Sequence, residues 1–211
     1  MAEVWNAGRP GDTTAELLKR FDRDVASHSP DLVILWAGVN DMIYPGHTLP
    51  PETFQRNYRF LAARCAAIGA SVLAGTLPPQ IEAYLIEQFP RVAEFPESVA
   101  ERIARGNERI AELELPLADF GAVVRSRPVA EDPASYLRNE SNAGMRDGLH
   151  LTPAGCAAVA RCAAEAIREW NLPSSRVVCL GDSLTYGVYL AGRGTAEPGG
   201  ESYPSCLAAL L

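Results

Sequence analysis

Ser183 closes the run Val177-Val178-Cys179-Leu180-Gly181-Asp182-Ser183. An apolar run that ends in Gly-Asp-Ser reads as a buried strand followed by a sharp turn. Such a turn would hold one hydroxyl at the C-terminal edge of a sheet, where α/β proteins bind their ligands. A serine hydroxyl is a weak nucleophile at neutral pH and needs a base beside it. His150 is one of three histidines, and Asp147 stands three residues before it, across the flexible Gly148. That spacing lets the carboxylate accept from Nδ1 and leaves Nε2 to take the serine proton. The charge that develops on an attacked carbonyl needs donors. Asn40, just after the apolar run Asp31–Ala37, could offer its side-chain amide. Gly11, before Asp12-Thr13 at a helix start, could offer a backbone N–H. The chemistry that uses these groups is acyl transfer.

Each group also has a plainer reading. Gly-Asp-Ser can be a β-turn or a helix cap, Asp147 and His150 a surface pair, Asn40-Asp41 a turn, and Gly11 a turn glycine. The run Gly8-Arg9-Pro10-Gly11-Asp12-Thr13-Thr14 could cradle phosphate, but it lacks the lysine of a P-loop and the third glycine of a dinucleotide fingerprint. His28 and His47 read as solvated loop residues. The five cysteines form no CxxC or Cys/His pattern, so no metal or cofactor is expected.

Short apolar runs alternate with helical periods, which argues for a parallel sheet covered by helices. Strands are expected at Glu3–Trp5, Asp31–Ala37, Ser71–Thr76, Leu115–Phe120 and from Val177. Thr13-x-x-Glu16 and Ser98-x-x-Glu101 are capping boxes that open helices. A helix from Pro51 should close at Gly69, a short one is expected at Ile81–Phe89, and Thr152-Pro153 should open another that runs to about Trp170. Residues 122–146 read as irregular. A final helix is expected from about Tyr203, after a glycine-rich loop at 192–200.

Four segments together resemble the blocks of the SGNH (GDSL) hydrolase family: Gly181-Asp182-Ser183-Leu184, Asn6-Ala7-Gly8-Arg9-Pro10-Gly11-Asp12-Thr13, Gly38-Val39-Asn40-Asp41 and Asp147-Gly148-Leu149-His150. In that family the serine block comes first; here it comes last, so the chain reads as a circular permutant. The resemblance implies a single domain over 1–211: a three-layer, flavodoxin-like α/β/α sandwich with five parallel strands. It also implies that Ser183 is the nucleophile, His150 the base oriented by Asp147, and the oxyanion donors the Ser183 N–H, the Gly11 N–H and Asn40. Its substrates would be small carboxylic esters with short acyl groups or acetylated carbohydrates. Two alternatives stay open: acyl transfer to an alcohol, and a non-catalytic flavodoxin-like binding module.

The permuted reading carries a structural expectation. The Val177 strand must lie between Glu3–Trp5 and Asp31–Ala37, because only a central strand brings Ser183 to both Gly11 and Asn40. Met1 and Leu211 should then lie close together, away from Ser183. Exchange of the helix from Tyr203 between two chains would give a homodimer. A net charge of −7 with no basic run argues against nucleic acid as a partner. No apolar run is long enough to span a membrane, and the first residues carry no signal-peptide core, so a cytoplasmic location is expected.

Overall fold

The computed structural model describes residues 2–211. In chain order the elements are β1 (Glu3–Gly8), α1 (Thr14–Asp24), β2 (Leu32–Trp36), α2 (Val39–Ile43), α3 (Pro51–Ala67), β3 (Ser71–Gly75), α4 (Glu82–Gln88), α5 (Val99–Ala111), β4 (Leu117–Ala118), α6 (Phe120–Arg125), α7 (Glu140–Ala143), α8 (Pro153–Glu169), β5 (Arg176–Gly181), α9 (Ser183–Tyr186) and α10 (Tyr203–Ala208). The strands form one parallel sheet in the order β1-β5-β2-β3-β4. Helices cover both sides. α1, α3 and α5 pack against one another in one layer, and α6, α8 and α10 in the other. The fold is the expected three-layer α/β/α sandwich.

β2 is buried at every residue, and so is β5 beyond Arg176. Both faces meet helices, so continuous apolar runs are favoured over alternation. β5 lies between β1 and β2, with Cys179 opposite Asn6 on one side and Ile34 on the other. Counted from β5 as the first strand, the order becomes 2-1-3-4-5, the flavodoxin-like arrangement. β1 is an edge strand and is only partly buried. Met1 falls outside the described residues, so the expected approach of Met1 to Leu211 does too; α10 packs on β1 and α8 of its own chain. In the core, Trp36 meets Phe120 and Tyr203 edge-on at 5.0 and 5.4 Å, which seats α6 and α10 on the sheet.

The helix starts follow their caps. Thr13 N donates to Glu16 Oε2 (3.1 Å) and Ser98 N to Glu101 Oε2 (2.8 Å), while Thr152 Oγ1 accepts from Gly155 N (3.2 Å). Gly69 takes the left-handed conformation after α3 (φ +78°). One strand differs from its expected bounds: β4 has two residues where six were expected. Pro116 has no N–H for the ladder, and Asp119 Oδ1 accepts from Ala122 N (2.9 Å), which turns Phe120 into the first residue of α6. The expected irregular stretch 122–146 also holds most of α6 and the short α7, capped by Asn139 and closed by Gly144 (φ +63°). No described helix is long and apolar enough to cross a membrane.

Candidate active site

The turn after β5 sets Ser183. Asp182 Oδ1 accepts from Leu184 N (2.9 Å), so Asp182 caps the single turn of α9, and Gly187 (φ +79°) closes it. Ser183 is the first residue of that turn and is 8% exposed. A Cβ at Gly181 would collide with Thr185 Oγ1 and the Trp36 carbonyl, and one at Gly8 with the Tyr186 amide. The glycine before Asp-Ser is therefore needed because β2 and α9 press on the strand end, and Gly8 lets the edge strand approach the same turn.

Asp147 accepts from the His150 backbone N–H at 2.8 Å, and its carboxylate oxygens lie 2.9 and 3.2 Å from Nδ1. One carboxylate thus fixes both the loop and the imidazole, leaving Nε2 as the ring nitrogen without that partner. The loop is clamped from outside: Arg138 N donates to His150 O and Gly148 N to Arg138 O, both at 2.8 Å. Gly148 sits at φ +71°, which a side chain would strain. Gln88 Nε2 donates to the Asp147 carbonyl (3.1 Å), and the Tyr189 ring stands edge-on to the imidazole, 5.5 Å away. Among the described residues no hydrogen bond joins Ser183 to His150; catalytic contacts of this kind often close only on substrate.

Asn40 lies in the first turn of α2, past the end of β2. Its Nδ2 donates to the Asp12 carbonyl (2.7 Å), which orients the amide and leaves its second N–H unspent. Gly11 sits at φ +83° in the loop before α1. Among the described residues, neither the Gly11 N–H nor the Ser183 N–H is spent on a hydrogen bond.

Two buried supports of this loop carry no motif. Arg20 Nε donates to Asp12 Oδ2 (2.6 Å), while its other nitrogens donate to the Ala7 carbonyl (2.9 Å) and the Gly181 carbonyl (2.8 Å). One buried guanidinium therefore ties together the ends of β1 and β5 and the Gly11 loop. Its signal in the sequence is a charge between Leu17 and Phe21 on the apolar stripe of α1. Asp41 accepts from Thr14 N (3.1 Å) and Thr14 Oγ1 (2.5 Å) and locks α2 to α1. Burial pushes the Asp41 carboxyl up to about 6 against those bonds. Burial likewise pushes Asp182 up to about 7, opposed by the Leu184 N–H, and its Oδ2 has no partner.

Gly11, Asn40, His150 and Ser183 line one cleft of about 650 Å³. Asp147 stands behind the imidazole. The rest of the wall includes Tyr44, Pro45, Phe89, Pro90, Leu149 and Val188, together with His47, Gln88 and Arg91. His47 is an exposed turn residue, as expected, and lies at this cleft. His28 packs against Trp5 with ring centroids 4.8 Å apart and lines a different cleft.

A sequence profile of the GDSL-like lipase/acylhydrolase family matches residues 1–158. No functionally curated protein matches the chain in sequence. Solved structures of similar architecture include a GDSL-like lipase from Bacteroides thetaiotaomicron: 23% identity, 76% of this chain and 73% of that one covered, TM-score 0.57. A lipase/acylhydrolase from Enterococcus faecalis is 22% identical over 78% of this chain and 74% of that one, with a TM-score of 0.54. A catalytic mutant of an acetylxylan esterase from Geobacillus stearothermophilus is 20% identical over 74% and 68%, at 0.51. At such identities the structural likeness speaks for the fold alone.

Proposed function

Because the chain belongs to the GDSL-like lipase/acylhydrolase family and is an ester-hydrolysing enzyme, we propose that it cleaves small carboxylic esters through an acyl-enzyme at Ser183. His150 Nε2 takes the Ser183 proton as Oγ attacks the ester carbonyl, with Asp147 holding the imidazole in the tautomer that leaves Nε2 basic. The oxyanion receives the Ser183 N–H, the Gly11 N–H and the second N–H of Asn40. Collapse of the tetrahedral intermediate expels the alcohol, which takes the proton from His150. Water then attacks the acyl-enzyme with His150 again as base, releasing the carboxylic acid and restoring Ser183. Acyl transfer to an alcohol would use the same groups, with the alcohol in place of water.

The observation that carries this reading is convergence. Residues 11, 40, 150 and 183 are far apart in the chain, yet all four line one cleft, and Asp147 is bonded to the imidazole. A fluorophosphonate probe tests it: the wild type should be labelled on Ser183, and Ser183→Ala should not. An unlabelled wild type, or a labelled alanine variant, overturns the assignment.

We also read the block order as a circular permutation. Two observations support this. β5 is central, and counting from it gives the flavodoxin-like strand order. The family profile stops at residue 158, ahead of the serine block. Joining the ends through a short Gly/Ser linker and reopening the chain at Ser174-Ser175 should return a folded, active enzyme. An insoluble or inactive product would count against it.

A further inference from the structure

The cleft beside Ser183 is large for an acetyl group and apolar where a sugar would need partners. We propose that its substrates are esters of medium-length apolar acids, of the octanoate class, and that Tyr44 and Phe89 form the wall that selects the acyl chain. The inference rests on the esterase reading of Ser183 and names the substrate class of that site. It takes the place of the short acyl groups and acetylated carbohydrates that the family resemblance implies.

Three observations carry it. First, the direction of the acyl chain is set by the other bonds of the tetrahedral carbon. One bond goes to Ser183 Oγ, one to the oxygen held by Gly11 and Asn40, and one to the leaving oxygen, which must face His150. The acyl chain takes the fourth, away from His150. On the Asn40 side α2 runs directly into Tyr44, which caps its C-terminal end. Second, Tyr44 and Phe89 meet edge-on with centroids 4.8 Å apart and form one continuous aromatic surface on the cleft, beside Pro45 and Pro90. Phe89 is 41% exposed, so this surface is open to a chain laid against it. Third, two of the polar side chains of the wall are already engaged. Gln88 Nε2 donates to the carbonyls of Arg146 and Asp147, and Arg91 Nε pairs with Glu94 at 3.3 Å. A sugar with several hydroxyls would leave most of them unpaired against aromatic and proline carbon, a costly mismatch. An acetyl group would leave most of the 650 Å³ wet. Each methylene laid on the wall is worth about 0.8 kcal/mol, or about four-fold in kcat/KM.

The test compares p-nitrophenyl acetate, butyrate, octanoate and laurate with acetylated xylo-oligosaccharide, using the full chain. The shared leaving group isolates the acyl side. We expect kcat/KM to rise at least about ten-fold from acetate to octanoate, with the acetylated oligosaccharide turned over more slowly than octanoate. Phe89→Ala should lower the octanoate-to-acetate ratio by about ten-fold, mainly through KM for octanoate, and Phe89→Leu should recover most of it. Phe89 is too exposed for its truncation to open a core cavity. Tyr44→Phe should keep the preference, since the proposal uses the ring and not the hydroxyl. A flat acyl profile, a preference for the acetylated sugar, or an unchanged ratio in Phe89→Ala overturns the proposal. If fluorophosphonate still labels Ser183 in that case, the esterase reading stands; an enzyme that neither turns over any of these esters nor takes the label loses both.

Discussion

Two clefts of nearly equal size open on this molecule, and only one of them gathers the proposed nucleophile and base, Ser183 and His150, with unspent donors. The first, about 650 Å³, lies where β1, β2 and β5 end. The second, about 660 Å³, runs along the edge strand β1 past Trp5, Asn6, Asp24, His28 and Glu197. The second is the more polar, but it holds no serine beside a carboxylate-bound imidazole, and two of its polar groups are spent on structure: Asn6 Nδ2 donates to the Thr195 carbonyl (3.0 Å), and Arg20 and Arg23 both hold Asp24. Those bonds, Arg23 foremost, hold the Asp24 carboxyl down to about 2. Beside Ser183, burial holds the Asp182 carboxyl up to about 7, and one of its oxygens is unpartnered. Volume and polarity therefore do not distinguish the proposed reactive cleft from the other. What does is whether N–H and O–H groups remain available at the point where strand ends converge.

The largest expected effect tests that distinction directly. Ser183→Ala should cost about four to six orders of magnitude in kcat, while Trp5→Ala in the second cleft should leave kcat within about two-fold, in line with the small effects typical of substitutions away from a site. Both are read from initial rates on a p-nitrophenyl ester, with circular dichroism to check the fold. Retention of more than a tenth of wild-type turnover by Ser183→Ala would sink the nucleophile assignment. Asp147→Asn comes next, at about four orders of magnitude. With its one oxygen taken by the His150 backbone N–H, the amide turns its NH2 to Nδ1 and holds that nitrogen as an acceptor, so the imidazole would present the wrong tautomer to Ser183. Wild-type activity should itself rise with pH, because protonated His150 cannot accept the serine proton. Asn40→Ala follows, at about 10²–10³-fold in kcat with KM nearly unchanged, since the amide bond strengthens only as the oxyanion forms. A pure KM effect would make Asn40 a binding or turn residue instead.

The same contrast explains what could be read from the sequence. Ser183, His150, Asp147, Asn40 and Gly11 are each written locally, in a few residues whose types the chemistry demands, and the strands that carry them are uninterrupted apolar runs. The central place of β5 followed from requiring Ser183 to meet both Gly11 and Asn40. The wall of the first cleft was not legible. Tyr44–His47 and Gln88–Arg91 follow the ends of α2 and α4 in stretches marked mainly by aromatics and prolines, and nothing local says that Tyr44 will meet Phe89. Arg20 was readable in principle, as a charge on the apolar stripe of α1, but its partners at Ala7 and Gly181 come from two strands. β4 was overread because Leu115–Phe120 has a strand's composition, while Pro116 and the Asp119 cap decide its length.

The smallest effect sharpens the comparison at the two carboxyls. In the unfolded chain both Asp182 and Asp24 should titrate near about 3.9. Asp182 is raised in the fold, so between about pH 4 and 7 the folded state keeps a proton that the unfolded chain has released. The stability this confers is full below about pH 4 and is lost as the pH rises through about 7. Asp41, raised to about 6, acts in the same direction over a narrower window. Asp24 is lowered, so its contribution is present above about pH 4 and is lost as the pH falls towards about 2. Asp182→Asn retains an oxygen for the Leu184 N–H but cannot ionise. Its melting temperature should match the wild type near pH 4 and exceed it by about a few degrees at pH 8, leaving the residual slope that Asp41 imposes. Asp24→Asn should do the reverse, weakening the protein at pH 8 and converging with the wild type at low pH, by less because that site is more exposed. Calorimetric melts from about pH 2 to 8 would read all three proteins. Equal slopes for wild type and Asp182→Asn would mean that the carboxyl beside Ser183 is already ionised in the fold, and the two clefts would then differ in their donors alone.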